Sequence, residues 1–265
     1  MQDVFIAGYS DKLSVRPGET ITFYVSSKAT SDFTATLHRS ISADPNPKGP
    51  GIVEKDASSY FKPASFASRY QGFIPGSFAQ SDGNIKANIK SDLVIRLWFM
   101  PTILLASDQT LLAWGNISIT LDQQGIITAN LPNNIVISST LSAKTHNWYS
   151  LEMKLLASGD ATLDVRHIVN SEACIGATKE DGPETGKGQL FPISIKGPIR
   201  IAASFGDAPS CFNGKIEAPE ILADGKLIAK WDFSEGISSL SVKTKTGPDL
   251  LLKNAPTRGV TGRKW

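Results

Sequence analysis

The 265-residue sequence holds only two cysteines and three histidines, and that scarcity excludes a good deal of chemistry. Cys174 and Cys211 are too few for a disulfide framework and stand at no metal-ligand spacing. Two reduced, partly buried thiols are expected, with one bridge between them as the alternative. His38, His146 and His167 are widely separated, and none has a Cys, His or carboxylate placed to complete a metal site. His167 shares an alternating face with Leu163 and Val165, where a hydrogen-bonded core histidine is a simpler reading than a general base.

Charge of one sign is lacking too. Lys plus Arg number 27 against 25 Asp plus Glu, a net charge of +2, so no broad field is available to recruit nucleic acid. The most apolar run, Leu97–Ala106, is interrupted by Pro101 and falls well short of the roughly 20 residues that cross a bilayer, so no membrane association is expected. The opening MQDVFIAGYSD puts Asp3 where a secretory signal carries positive charge, and a cytoplasmic protein is expected.

Catalytic motifs are likewise absent. There is no G-x-S-x-G nucleophile elbow, and GYSDK and PGSFAQ are only superficially similar. GPETGKG, from Gly182 to Gly188, has one residue too few between its glycines for a phosphate loop and lacks the hydroxyl that holds magnesium, so it reads as loop. Glycoside hydrolysis needs two carboxylates across the sugar, and jelly-roll hydrolases often array them as E-x-D-x-E. The nearest string, Glu54-Lys55-Asp56-Ala57-Ser58, has no third acid.

What the sequence has in abundance is alternation with period two, the signature of strands with one face buried. Ile21, Phe23 and Val25 fall on one face of TITFYVS, as do Phe33, Ala35 and Leu37 of FTATLHR and Ile117, Ile119 and Leu121 of NISITLD. WYSLEMKL places Tyr149, Leu151, Met153 and Leu155 together, and further strands read from LVIRLWFM, ATLDVRH, IRIAAS and GKIEAPEIL. Pro17-Gly18 suits a type II turn, and Asp224-Gly225 suits a two-residue hairpin within EILADGKLIAKWDF. ISADPNPKGPG and NSEACIGATKEDGPETGKGQ read as long surface loops. Short strands, regular turns and no sustained helical stripe predict an all-β protein, an antiparallel β-sandwich with under about a tenth of its residues in helix.

The predicted sandwich occupies residues 1–242, a jelly roll with extra N-terminal strands. Residues 243–265 are set apart by charge: six basic side chains against Asp249 alone, a net +5, leave −3 on the remainder. This segment reads as a solvated or domain-joining stretch, with contact to an acidic partner surface or a phosphate backbone as the sharper alternative. Sugar binding needs only exposed aromatics and a few polar groups on a concave face, for which Trp98, sharing a face with Arg96, and Trp114 are the candidates; ordinary packing is the competing reading. Trp148 and Trp231, each at the end of an apolar strand, read as structural.

The strand series from LVIRLWFMPT to FNGKIEAPEI resembles a laminin-G-like jelly roll of the concanavalin A type, a fold that serves many functions. IAGYSDKLSVRPGETITFYVSS, DPNPKGPG, FNGKIEAPEI, KWDFSEGI and APTRGVTGRKW together resemble the N-terminal region of the N,N-dimethylformamidase large-subunit family. The resemblance runs along essentially the whole chain and is weakest from about residue 57 to 90 and in the acidic loop. It implies a lectin-like sandwich preceding a catalytic domain in which tyrosine and glutamate side chains hold one iron, a Lewis acid for amide hydrolysis. That domain would follow Trp265, so no catalytic residue, metal ligand or cofactor is expected within these residues. The expected function is a non-catalytic module that packs against the catalytic domain or subunit of an oligomeric amidohydrolase; a free-standing carbohydrate-binding module is the alternative.

Overall fold

Alternation along the sequence becomes paired antiparallel strands. The computed structural model of the chain describes residues 5–12, 14–71, 76–156, 158–168, 184–187, 193–260 and 262–263. Among them there is no α-helix, only a 3-10 turn at Pro132–Asn134. They divide into two compact units, Met1–Phe73 and Ile74–Trp265. The single sandwich expected over residues 1–242 is therefore divided after Phe73.

The first unit is made of three separate two-stranded ribbons. Its strands are β1 (Ile6–Ser10), β2 (Phe23–Ser27), β3 (Phe33–Ala35), β4 (His38–Ala43), β5 (Ile52–Asp56) and β6 (Ala64–Phe66), paired β1 with β2, β3 with β6 and β4 with β5. Pro17-Gly18 makes the expected turn, with Glu19 N–H donating to the Arg16 carbonyl at 3.0 Å. The ISADPNPKGPG stretch, expected to be a surface loop throughout, begins in strand: Ile41–Ala43 lies in β4, and the remaining loop returns the chain to β5, with Asn46 N–H donating to Asp44 Oδ1. Only Ala57 and Ser27 are buried among the described residues here. Phe23 is 68% exposed and Leu37 42%, while Val25, Phe33 and Ala35 are half-buried, so the inward faces expected of these strands are only partly covered among the described residues.

The second unit encloses one apolar core between two sheets. Its first strands are β7 (Phe78–Ser81), β8 (Ile85–Ile89), β9 (Asp92–Pro101), β10 (Gln109–Trp114), β11 (Ile117–Leu121), β12 (Ile126–Leu131) and β13 (Ile135–Ser142). Next come β14 (Trp148–Leu156), β15 (Asp160–Ile168), β16 (Glu184–Lys187), β17 (Ile193–Gly197) and β18 (Ile199–Ile201). The last are β19 (Gly214–Ala223), β20 (Lys226–Lys230), β21 (Ser241–Val242) and β22 (Leu250–Lys253). One sheet runs β13-β12-β11-β10-β18-β7-β22-β21, the other β16-β15-β14-β9-β19-β20, and β17 pairs with β8.

Register explains why the core closes. Tyr149, Leu151, Met153 and Leu155 of β14 stand opposite Phe99, Leu97, Ile95 and Leu93 of β9, and all eight are buried. Ile117, Ile119 and Leu121 of β11 reach the same core from the other sheet. At the β19–β20 hairpin Asp224 and Gly225 have φ of 49° and 69°, the left-handed pair a two-residue turn demands. The Asp224 carboxylate then accepts the N–H groups of Lys90 and Ser91 at 2.8 and 2.7 Å, tying this turn to the one between β8 and β9.

Two sequence expectations are corrected in this unit. Within residues 243–265 lies β22, which pairs with β7 and buries Leu250 and Leu252, so the basic segment supplies a core strand. The alternating leucines outweigh the flanking lysines, which stay at the surface. Within the stretch read as an acidic loop, Glu184–Lys187 forms the edge strand β16 on β15, held by backbone pairing that needs no apolar side chain. Cys174 and the rest of that stretch lie outside the described residues.

Candidate functional site

The outward face of the six-stranded sheet gathers most of the chemically active side chains, because alternation that buries Leu93, Ile95, Leu97 and Phe99 turns Arg96 and Trp98 outward. A row crosses five strands: Asp164, Glu152, Arg96, Glu220 and Lys230 stand directly opposite one another in sequence. Arg96 Nε bonds Glu152 Oε2 at 2.5 Å, Arg96 Nη1 bonds Glu220 Oε1 at 3.2 Å, and Lys230 Nζ lies 3.3 Å from Glu220 Oε2. Arg166 binds Asp164 at the far end, Nη2 to Oδ2 at 2.6 Å. The hydrogen bond with Glu152 holds the Arg96 guanidinium above its ordinary range. The Arg96 guanidinium is thus shared between the Glu152 and Glu220 carboxylates.

The next row places Trp98 opposite Glu217 of β19. Arg263, from the end of the chain, lies over the Trp98 ring with its guanidinium carbon 4.1 Å from the ring centroid. Its Nε is 3.2 Å from Glu217 Oε2, and its backbone N–H donates to Glu217 Oε1 at 3.1 Å. Gly262 makes this seat accessible, since a Cβ there would stand 2.1 Å from Glu217 Oε1. Trp98, offered by the sequence as a sugar platform, thus carries an arginine on one face.

Beside this clasp is a cleft of about 490 Å³, within the size range of small-ligand pockets, roughly 300–1,000 Å³. Trp148, Phe212, Ile216 and Phe233 supply its apolar walls, and the strap from Pro256 to Val260 forms another side. Arg258 anchors that strap by donating to the carbonyls of Phe233, Glu235, Gly236 and Ser239. Among the described residues, no histidine or cysteine lines the cleft. Its walls suit an apolar group, and among its lining residues the Ser234 hydroxyl donates to Asp232 Oδ1 at 2.6 Å.

The remaining expected site residues separate. Trp114, the second ligand-facing candidate, is corrected: its ring has no exposure and its Nε1–H donates to the Ile85 carbonyl at 3.4 Å. β10 is buried from end to end, so no face of that ring is open. Trp231 is fully buried, with Nε1–H donating to the Pro248 carbonyl at 2.8 Å, and Trp148 is buried at the start of β14. His167 stands beside the Tyr149 ring, centroids 5.3 Å apart. His38 and His146 lie on other loops and strands, and no group of three His, Cys, Asp or Glu that could hold a metal occurs among the described residues. Tyr149, the one tyrosine of the sandwich, accepts the Lys144 N–H through its hydroxyl at 2.8 Å and is buried. Cys211 is a free, half-buried thiol whose pKa is pushed up by burial against the opposing pull of Arg200.

Glu217, Arg258 and Arg263 escaped the sequence reading as a group. The basic end of the chain was visible, but the carboxylate and carbonyls that receive it sit on β19 and on the turn after β20.

By architecture the second unit is an antiparallel β-sandwich. No family model matches the sequence. The whole chain is similar to the N,N-dimethylformamidase beta subunit of Paracoccus aminophilus, 28% identical over 324 aligned residues that make up 41% of that protein. The N,N-dimethylformamidase beta subunit of an Alcaligenes species is 26% identical over 319 residues, again with all of this chain and 41% of the relative. The chain therefore spans about two fifths of the length of the curated relatives it matches. A solved protein of Bacteroides ovatus assigned to carbohydrate binding is similar over 78% of this chain and 68% of its own, with 14% identity and a TM-score of 0.44.

Proposed function

We propose that the chain is a non-catalytic, lectin-like module of an amidohydrolase of the N,N-dimethylformamidase large-subunit type, serving domain packing and subunit assembly in the cytoplasm. The observation that carries this reading is similarity along the entire chain to two dimethylformamidase subunits of which it matches only 41%. The site geometry is in keeping with it: Arg96, Glu152, Glu220, Glu217 and Arg263 bind one another across strands and stabilise a surface. Amide hydrolysis requires an activated water and donors for the developing oxyanion, and this reading assigns both, with any iron involved, to other polypeptide.

The test is release of amine from formamides by the purified 265-residue chain, beside the enzyme from the native source and with bound iron measured in each. The chain alone is expected to release no amine and to hold no stoichiometric iron. Turnover by the chain alone that survives repurification would overturn the reading.

A further inference from the structure

The N-terminal unit leaves a patterned apolar surface open. In the β1–β2 ribbon, Ile6 opposes Ser27, Gly8 opposes Val25 and Ser10 opposes Phe23, so Ile6, Phe23 and Val25 share one face. This face carries no charged side chain, yet Phe23 is 68% and Ile6 48% exposed. The other face is also apolar, with Tyr9 and Tyr24 stacked 5.0 Å apart and 62% and 44% exposed. An isolated two-stranded ribbon is marginal in water, and strands that are apolar on both faces belong inside a layered structure.

We propose that the Ile6–Phe23–Val25 face of the β1–β2 ribbon is a docking surface for further amidohydrolase polypeptide, the portion that the relatives carry outside the 41% this chain matches. The inference rests on the module reading and names the surface through which the module packs. Three observations select this occupant. Alternation through Ile21, Phe23 and Val25 is that of a strand with a covered face, whereas the described residues of this unit bury only Ala57 and Ser27. An uncharged face matches an apolar protein surface and offers nothing to a phosphate backbone or an anionic lipid headgroup. The relatives contain more than an equal length of additional chain to provide that surface.

The test places the photo-cross-linker p-benzoylphenylalanine at position 23 in the protein produced in its native host, with the cross-linked peptides mapped by mass spectrometry. Cross-links are expected in amidohydrolase polypeptide outside residues 1–265. Cross-links to residues 74–265, to the same face of a second copy, or to no protein would each overturn the proposal. A second variant, Phe23→Asp, is read by limited proteolysis: cleavage within the N-terminal unit should rise about tenfold in the native protein and stay unchanged in the isolated 265-residue chain. Equal rates for variant and wild type in the native protein would contradict docking at this face. If the native protein hydrolyses formamides but position 23 cross-links elsewhere, this inference fails alone; if no amidohydrolase polypeptide accompanies the chain, the module reading fails with it.

Discussion

The two units of this chain are written in the same alternating code and meet opposite fates. In the sandwich, Tyr149, Leu151, Met153 and Leu155 fall opposite the apolar face of β9 and are covered by a second sheet. In the N-terminal unit, the comparable alternation through Phe23 has only a ribbon partner, and the ring remains largely in water. Periodicity specifies which side chains of a strand share a face; whether that face is buried depends on another layer being present.

The comparison predicts unequal responses to aromatic truncation. Trp231→Ala removes a fully buried ring and its hydrogen bond to Pro248, and should lower stability by about 3–5 kcal/mol in denaturant or thermal unfolding of the sandwich. Phe23→Ala in the isolated chain should change stability by about 0.5 kcal/mol or less, because the ring is mostly solvated already. Comparable losses for the two would show that the N-terminal unit has a core of its own.

Acid should act on the sandwich through its turns. Backbone N–H groups, that of Ser91 first, hold the Asp224 carboxylate below the ordinary range, and Ser234 does the same for Asp232. A depressed folded-state pKa contributes stability that is complete above the unfolded value of about 4 and is lost as pH falls through the lower folded value. Melting temperature followed from pH 7 to pH 2 should therefore drop below about pH 4, and Asp224→Ala should flatten that drop while lowering the plateau. An unchanged acid profile in the variant would remove Asp224 from the account.

A smaller effect is expected at the clasp. Arg263→Ala should uncover Trp98, making its fluorescence more sensitive to acrylamide, with a stability cost of about 1 kcal/mol or less because the contact is partly solvated. The Trp98→Phe background isolates the signal among five tryptophans. No change in quenching would mean that the arginine does not sit on the ring in solution.

The sandwich was legible because strands such as β11 and β13 follow period two without interruption and its Asp224-Gly225 turn has a backbone requirement few residue pairs meet. Other features were hidden for physical reasons. Leu250 and Leu252 make β22 a core strand, but lysines on either side disguise it as a solvated tail. β16 pairs with β15, but its sequence ETGK carries no alternating apolar pattern. Trp114 and Trp98 look alike in sequence, yet one lies in a strand covered throughout and the other under an arginine contributed by the end of the chain. Contacts of that range are set by topology, which local pattern does not encode.

Hydrogen exchange of the isolated 265-residue chain, resolved to peptides by mass spectrometry, tests the contrast between the two units most directly. Amides of β9 and β14 should exchange only through global opening of the sandwich, while those of β1 and β2 exchange through local opening and lose protection orders of magnitude sooner. Equal protection in both sets would contradict the account, since it would show the N-terminal ribbons already covered without further polypeptide.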